Sequence, residues 1–259
     1  MGFGIKTYFR KVWKKSKKII NFPKTIRNKR ANTLGQVYMA AHPLRIQVID
    51  RIKETISTGM EISQYSAIHE YVKKRKPKIL FEFGGGASTA VLCAAYRELV
   101  DEEGFRGKVY SFEDVPKYID HTRSILCSSD LKYCELVHRK KVENILSWSE
   151  KKIWGFSYEK LVDVTPSAIL IDGPFEAREK DSPRGVCLDG LLWLANRNFV
   201  SVDILVEGKK KTVDALQSIL PGKQLQIIEG TGIHIVYGVT PSDLLLGDVK
   251  VQPQRIFEN

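Results

Sequence analysis

From Lys78 onward the chain is built on an alternation that few folds can accommodate. Short apolar runs occur at Ile79–Phe83, Lys108–Phe112, Cys134–His138, Ala168–Ile171 and Val202–Val206. Amphipathic stretches follow most of them, at 87–100, 115–126, 185–196 and 212–220. Strands separated by helices imply a parallel sheet covered on both faces. The rhythm breaks only at the end, where Leu225–Ile228 and Ile233–Tyr237 flank Glu229-Gly-Thr-Gly232, a hairpin loop. The expected fold is therefore an α/β doubly wound sheet, mostly parallel, with an antiparallel last strand.

The first turn of this sheet carries the chemistry. Lys78-Ile-Leu-Phe-Glu-Phe-Gly-Gly-Gly-Ala-Ser-Thr89 runs from an apolar strand through three glycines into a helix. Glycine permits positive φ and lets a ligand approach the backbone. The helix start beyond offers free N–H groups and the positive end of a dipole. Strand before and helix after are the context a nucleotide site requires. The dinucleotide pattern G-x-G-x-x-G fails here, because Thr89 stands at its third glycine, where close packing is needed.

The segment resembles motif I of the class I S-adenosylmethionine (SAM)-dependent methyltransferases, an acid near the strand end followed by G-x-G-x-G. Glu82, Gly84 and Gly86 match it, and Ser88 replaces the third glycine. The resemblance implies a Rossmann-like fold, with Gly84, Gly85, Gly86, Ser88 and Thr89 wrapping the methionine part of S-adenosyl-L-methionine. Glu82 is then expected near the cofactor's ammonium. Lys108-Val-Tyr-Ser-Phe-Glu113 matches the second strand of that family, so Glu113 is expected to bind the two ribose hydroxyls, with Asp114 as its substitute. Ser167-Ala-Ile-Leu-Ile-Asp172 matches the fourth strand, whose terminal acid faces both cofactor and acceptor. The likeness covers roughly residues 60–240.

Asp172-Gly-Pro-Phe175 departs at Gly173 from the [DN]-P-P-[YF] of amino-group methyltransferases, which favours a hydroxyl acceptor. A hydroxyl must lose its proton, which a carboxylate or imidazole within reach can take. Asp172 is the first catalytic candidate, as base or as ligand to a divalent ion, although no metal-ligand spacing is evident. His138 is the second; a surface imidazole at a strand end is its bland alternative. His234, between Ile233 and Ile235, reads as structural. Arg184 and Glu207 are candidate acceptor contacts, Glu207 because ligands gather beyond the carboxyl ends of parallel strands. The expected activity is O-methylation of a sugar or other small hydroxyl acceptor. An RNA methyltransferase and a non-catalytic binding protein remain as alternatives.

Charge is concentrated at one end. Of 41 Lys+Arg and 30 Asp+Glu, residues 1–30 hold eleven basic residues and no acid, leaving a net of zero on the rest. In that arm Ile5, Tyr8/Phe9, Val12/Trp13 and Ile19/Ile20 recur at helical steps, and basic residues fill the opposite face up to Pro23. Such a helix suits an anionic membrane surface. It also suits nucleic-acid phosphates, or docking on its own domain or a second subunit. Lys6 stands where an N-myristoylation motif wants Ser/Thr.

Residues 31–43 are polar and read as a connector; two helical patterns follow, ending near Gly59 and at Pro77. The domain reading is a basic arm at 1–30, a helical lead-in at 31–75, a SAM-binding domain at 76–240 and a loosely packed tail at 241–259. Four cysteines without a C-x-x-C pair point to reduced thiols, hence to a cytoplasmic protein, and the basic arm points to a peripheral place at the inner membrane face. No apolar run is long enough to span a bilayer, and no secretory signal is recognisable.

Overall fold

The computed structural model describes residues 24–53, 60–148, 151–173, 185–196, 198–245 and 250–256. Among these residues three helices come first: α1 (Lys24–Ala40), α2 (Pro43–Lys53) and α3 (Ile62–Arg75). Then come β1 (Ile79–Phe83), α4 (Ala87–Glu103), β2 (Lys108–Glu113), α5 (Pro116–Ile125) and β3 (Cys134–His138). A hairpin of β4 (Lys141–Trp148) and β5 (Lys151–Tyr158) precedes β6 (Ala168–Ile171), β7 (Val186–Cys187) and α6 (Asp189–Ala195). The chain continues through β8 (Val202–Glu207), α7 (Lys210–Ile219), β9 (Gln226–Ile227), β10 (Ile233–Val239) and β11 (Lys250–Ile256).

Seven strands form one sheet in the order β3-β2-β1-β6-β8-β10-β9. β1 pairs in parallel with both β2 and β6, and β6 pairs in parallel with β8. β10 is antiparallel to β8 and to β9. The expected reversed strand is thus present; it is last in this sheet's sequence but lies inside the edge. Alternate residues of each central strand feed opposite faces. Phe81, Ile169, Ile204 and Val206 enter one core, while Leu80, Leu170 and Leu205 enter the other with α3 and α4. Burial on both faces explains why these strands read as continuous apolar runs.

Two readings of the sequence are corrected. Residues 31–43 are not a connector: α1 runs from Lys24 to Ala40. Its inner face is made of small and polar groups that approach α3 closely. A Cβ on Gly35 would lie 3.0 Å from Ile62 O and Ser63 Cα, and Asn32 bonds Glu61 and the Ser63 amide at 2.8 and 3.2 Å. The C-terminal tail is also partly structured, since β11 pairs with β4 in a second sheet of order β11-β4-β5-β7. That sheet docks on the first through Tyr158, whose hydroxyl donates to Phe112 O at 3.0 Å. The expected helix at 185–196 is shortened to α6 because Val186–Cys187 joins this sheet.

A buried ion cluster fastens the lead-in helices to α4. Glu98 accepts from Arg45 Nε and Nη2 at 2.9 and 2.7 Å, with His69 Nε2 at 3.2 Å and Lys73 Nζ at 3.5 Å. Burial pushes Glu98 up, but these donors outweigh it and hold the carboxyl well below its usual range. The four cysteines are free thiols. Among the described residues, no helix is long and apolar enough to cross a membrane.

Candidate active site

Because the chain leaves β1 toward β2 and β3 and then returns to β6 on β1's other side, a crevice opens beyond the carboxyl ends of β1 and β6. Gly84 begins the turn with φ +95°, and Gly84 and Gly85 both donate to Phe112 O, at 3.0 and 3.1 Å. Asp172 and Gly173, leaving β6, both donate to Phe83 O. The two exits touch. A Cβ on Gly84 would lie 2.5 Å from Gly173 N, and one on Gly173 would lie 2.6 Å from Gly84 Cα. Gly173 is therefore explained by packing, apart from any preference for acceptor chemistry. A Cβ on Gly85 would meet Ser111 Oγ at 2.7 Å. Gly86 differs, because a Cβ there would meet nothing within 4 Å.

Beneath the loop lies a buried polar network. Thr89 Oγ1 donates to Glu82 Oε2 at 2.6 Å, accepts the Gly86 N–H at 3.1 Å and meets Ser111 Oγ at 3.1 Å. The other carboxylate oxygen, Glu82 Oε1, is buried without a hydrogen-bond partner. Burial pushes Glu82 up to about 7, against the pull of the Ser88, Thr89 and Ser111 hydroxyls. Thr89, expected at the cofactor, lies under the loop and ties the Gly86 amide to Glu82.

The crevice is a cleft of about 490 Å³. Gly84, Gly85, Gly86, Ser88, Glu113, Asp172 and Glu207 all line it, so the structure brings these expected residues together. Glu113 Oε1 accepts the Asp114 and Val115 amides at 2.9 and 3.0 Å, which turns the carboxylate toward the start of α5. Burial pushes it up to about 8, with Asp114 adding to the shift and the Val115 amide opposing it. Asp114 itself is buried, 3.5 Å from Lys141 Nζ. Asp172 keeps about a quarter of its side chain exposed (27%) and is pushed up to about 6 by burial. Lys209 Nζ, 3.8 Å away, opposes that shift and Glu207 adds to it. Glu207 Oε1 accepts from Gln64 Nε2 at 2.7 Å, tying α3 to the cleft rim.

Not every candidate converges. Glu82 sits behind the loop and is fully buried. His138 is exposed on edge strand β3, its Nε2 3.1 Å from Asp114 O, and it does not reach the cleft beside Asp172. Arg184 lies outside the described residues. Among the described residues, three potential metal-ligand side chains converge at His42, Glu98 and Glu102, within the ion cluster of α4 and away from Asp172. Sequence reasoning missed Tyr65 and the helix face Lys117, Tyr118, His121 and Thr122. The last four recur at i, i+1, i+4 and i+5 directly after Glu113, a spacing that places them on one side of α5. A second cavity of about 480 Å³ lies among α1, α2 and α3. Its lining is mainly apolar and lacks the convergent carboxylates of the cleft, so the cleft is the better site for a polar ligand.

No family model matches this sequence. A search of curated proteins finds no match either. Among solved structures, similarity extends to the O-methyltransferase TomG of Streptomyces achromogenes in complex with SAM, at 11% identity over 82% of this chain and 98% of that one, with a TM-score of 0.49. An S-adenosylhomocysteine (SAH)-bound methyltransferase of Podospora anserina is 13% identical over 92% of this chain and 98% of that one, with a TM-score of 0.46. The precorrin-6y C5,15-methyltransferase of Geobacter metallireducens is 12% identical over 72% of this chain and 92% of that one, with a TM-score of 0.42. Identities this low leave the chemistry to be read from the cleft itself.

Proposed function

We propose that this chain is a SAM-dependent methyltransferase that modifies a hydroxyl group of a sugar or other small acceptor. The observation that carries the reading is Gly86. It opens a helix at the switch point of the sheet, its missing side chain leaves free space, and Glu113 stands on the same cleft. Gly84 and Gly85 are accounted for by their own protein neighbours, whereas the space at Gly86 suits a ligand lying against the backbone. A carboxylate at the end of the adjacent strand suits paired hydroxyls, since it accepts two hydrogen bonds.

SAM, when bound, supplies a methyl group already activated by positive sulfur. The chain's own residues orient and deprotonate. The Gly84–Gly86 backbone and Ser88 would hold the amino-acid end, and Glu113 the ribose. Fixing donor and acceptor in near-attack geometry is the main catalytic requirement. Asp172, on the opposite lip, is the base for an acceptor hydroxyl; a carboxyl near 6 is ionised at neutral pH yet basic enough to take a proton. Lys209 beside it stabilises the ionised form. The basic N-terminal segment supports an acceptor met at the cytoplasmic membrane face.

Calorimetric titration with SAH tests the reading directly. Wild type should bind, while Gly86→Val and Glu113→Ala should bind at least about tenfold more weakly. Absence of binding, or equal binding by all three, would leave a fold without the chemistry.

A further inference from the structure

We infer that the outer face of α1 is a docking surface for an anionic lipid bilayer. The inner face of this helix is used up by Gly35, Asn32 and Met39. Its outer face is not. Ile26, Leu34 and Val37 are 47, 59 and 65% exposed, and at 100° per residue they fall within one narrow sector. Lys29 and Arg30 are exposed beside them. Large apolar side chains grouped on one exposed helix face mark an interaction surface, in contrast to singly scattered ones.

The charge pattern selects the occupant. The first acid in the chain is Asp50; the 49 residues before it carry twelve Lys/Arg, and the remaining 210 carry 29 basic and 30 acidic residues. An acid-free, apolar-and-basic face fits lipid, into which Leu and Val insert while Lys and Arg meet the headgroups. RNA would use the charges and leave the aliphatic stripe in water; a second copy of this chain would bring the same positive charges face to face. The surface is also joined to the cleft. Asn32 holds Glu61 and Ser63 at the start of α3, and Gln64 in the same turn holds Glu207 on the cleft rim. Docking α1 therefore fixes how the cleft faces the bilayer. This inference does not depend on methyl transfer.

Co-sedimentation of the full chain with phosphatidylcholine vesicles, with and without phosphatidylserine, tests it in the absence of any cofactor. Wild type should pellet with anionic vesicles only, less so as salt rises. Leu34→Asp with Val37→Asp should lower the partition coefficient about tenfold or more. The charge-matched control, Val200→Asp with Leu245→Asp, changes exposed residues elsewhere and should lower it far less; melting curves establish that both double variants fold. Equal binding to neutral vesicles, equal losses in the two double variants, preferential retention of single-stranded RNA, or a dimer abolished by the α1 substitutions would each overturn the inference. SAH binding, measured separately, would be unaffected in every case.

Discussion

Gly84 and Gly173 stand back to back at the ends of β1 and β6, each occupying the space in which the other's Cβ would lie. The contact closes one side of the glycine bend and sets the floor of the cleft. Gly84→Ala and Gly173→Ala should each lose at least about 2 kcal/mol of stability through this clash, and Gly84→Ala also has to adopt φ +95°. Gly86→Ala should remain within about 1 kcal/mol of wild type, because its methyl meets no protein atom, while SAH binding falls at least about tenfold. Chemical denaturation and calorimetry on the three variants separate wall from floor.

Glu113 provides a pH test of cofactor binding. Ionised, its carboxylate accepts from two hydroxyls; protonated, it loses part of that capacity. Its raised value means that SAH affinity should increase from pH 6 upward and level off above about 8. Glu113→Gln should bind about tenfold or more weakly and show a flattened profile. Calorimetric titrations between pH 6 and 9, about the range that brackets the carboxyl, give the comparison.

Asp172 should divide binding from turnover. Asp172→Asn is expected to keep SAH affinity within about threefold and to lower kcat/KM by about a hundredfold or more. At saturating SAM, wild-type kcat/KM for the acceptor should rise with pH through about 6 and then plateau, since only the ionised carboxylate takes the proton. A mass-spectrometric assay of the methylated acceptor measures both effects.

Glu82 should leave its mark on stability. Its folded value of about 7 lies above the 4.5 of an ordinary glutamate, so the fold binds an extra proton between these values. This contribution is fully present below pH 4.5 and is lost as pH rises through about 7. Denaturation midpoints of wild type should decline across that window relative to those of Glu82→Gln, which cannot ionise.

Glu98 has the opposite sign. Its carboxyl is held below the ordinary range, so it stabilises the fold above about pH 4.5 and loses that effect as acidity increases. Glu98→Ala strands the Arg45 guanidinium at a buried site and should cost about 3–5 kcal/mol. Thermal melts at neutral and acid pH test both statements.

The main sheet was legible because its strands are buried on two faces and write themselves as apolar runs between turn residues. The glycine bend and Glu113 were legible for a related reason, since each lies at a strand end marked by a change in composition. The second sheet was not. In β4 and β5 charged residues such as Glu143, Lys151 and Lys152 interrupt the pattern, and pairing with β11 joins segments about a hundred residues apart. α1 was hidden by its polar inner face, where Asn32 and Gly35 serve contacts with α3 that sequence periodicity does not encode. His138 and Asp172 illustrate the limit of strand-end reasoning. Both terminate parallel strands, yet only strands beside the switch point deliver their ends to the crevice.

The seam between β1 and β6 also dictates when the cleft can come into being during synthesis. Ile79 finds its Ser167 partner across 88 residues, and the Gly84–Gly173 contact must wait for a similar length to leave the ribosome. Loop closure over such distances is slow compared with formation of the neighbouring helices. A nascent chain ending before residue 173 therefore has the bend without its opposing wall, and any small molecule that fits the finished cleft can assist folding only after most of the protein has been translated.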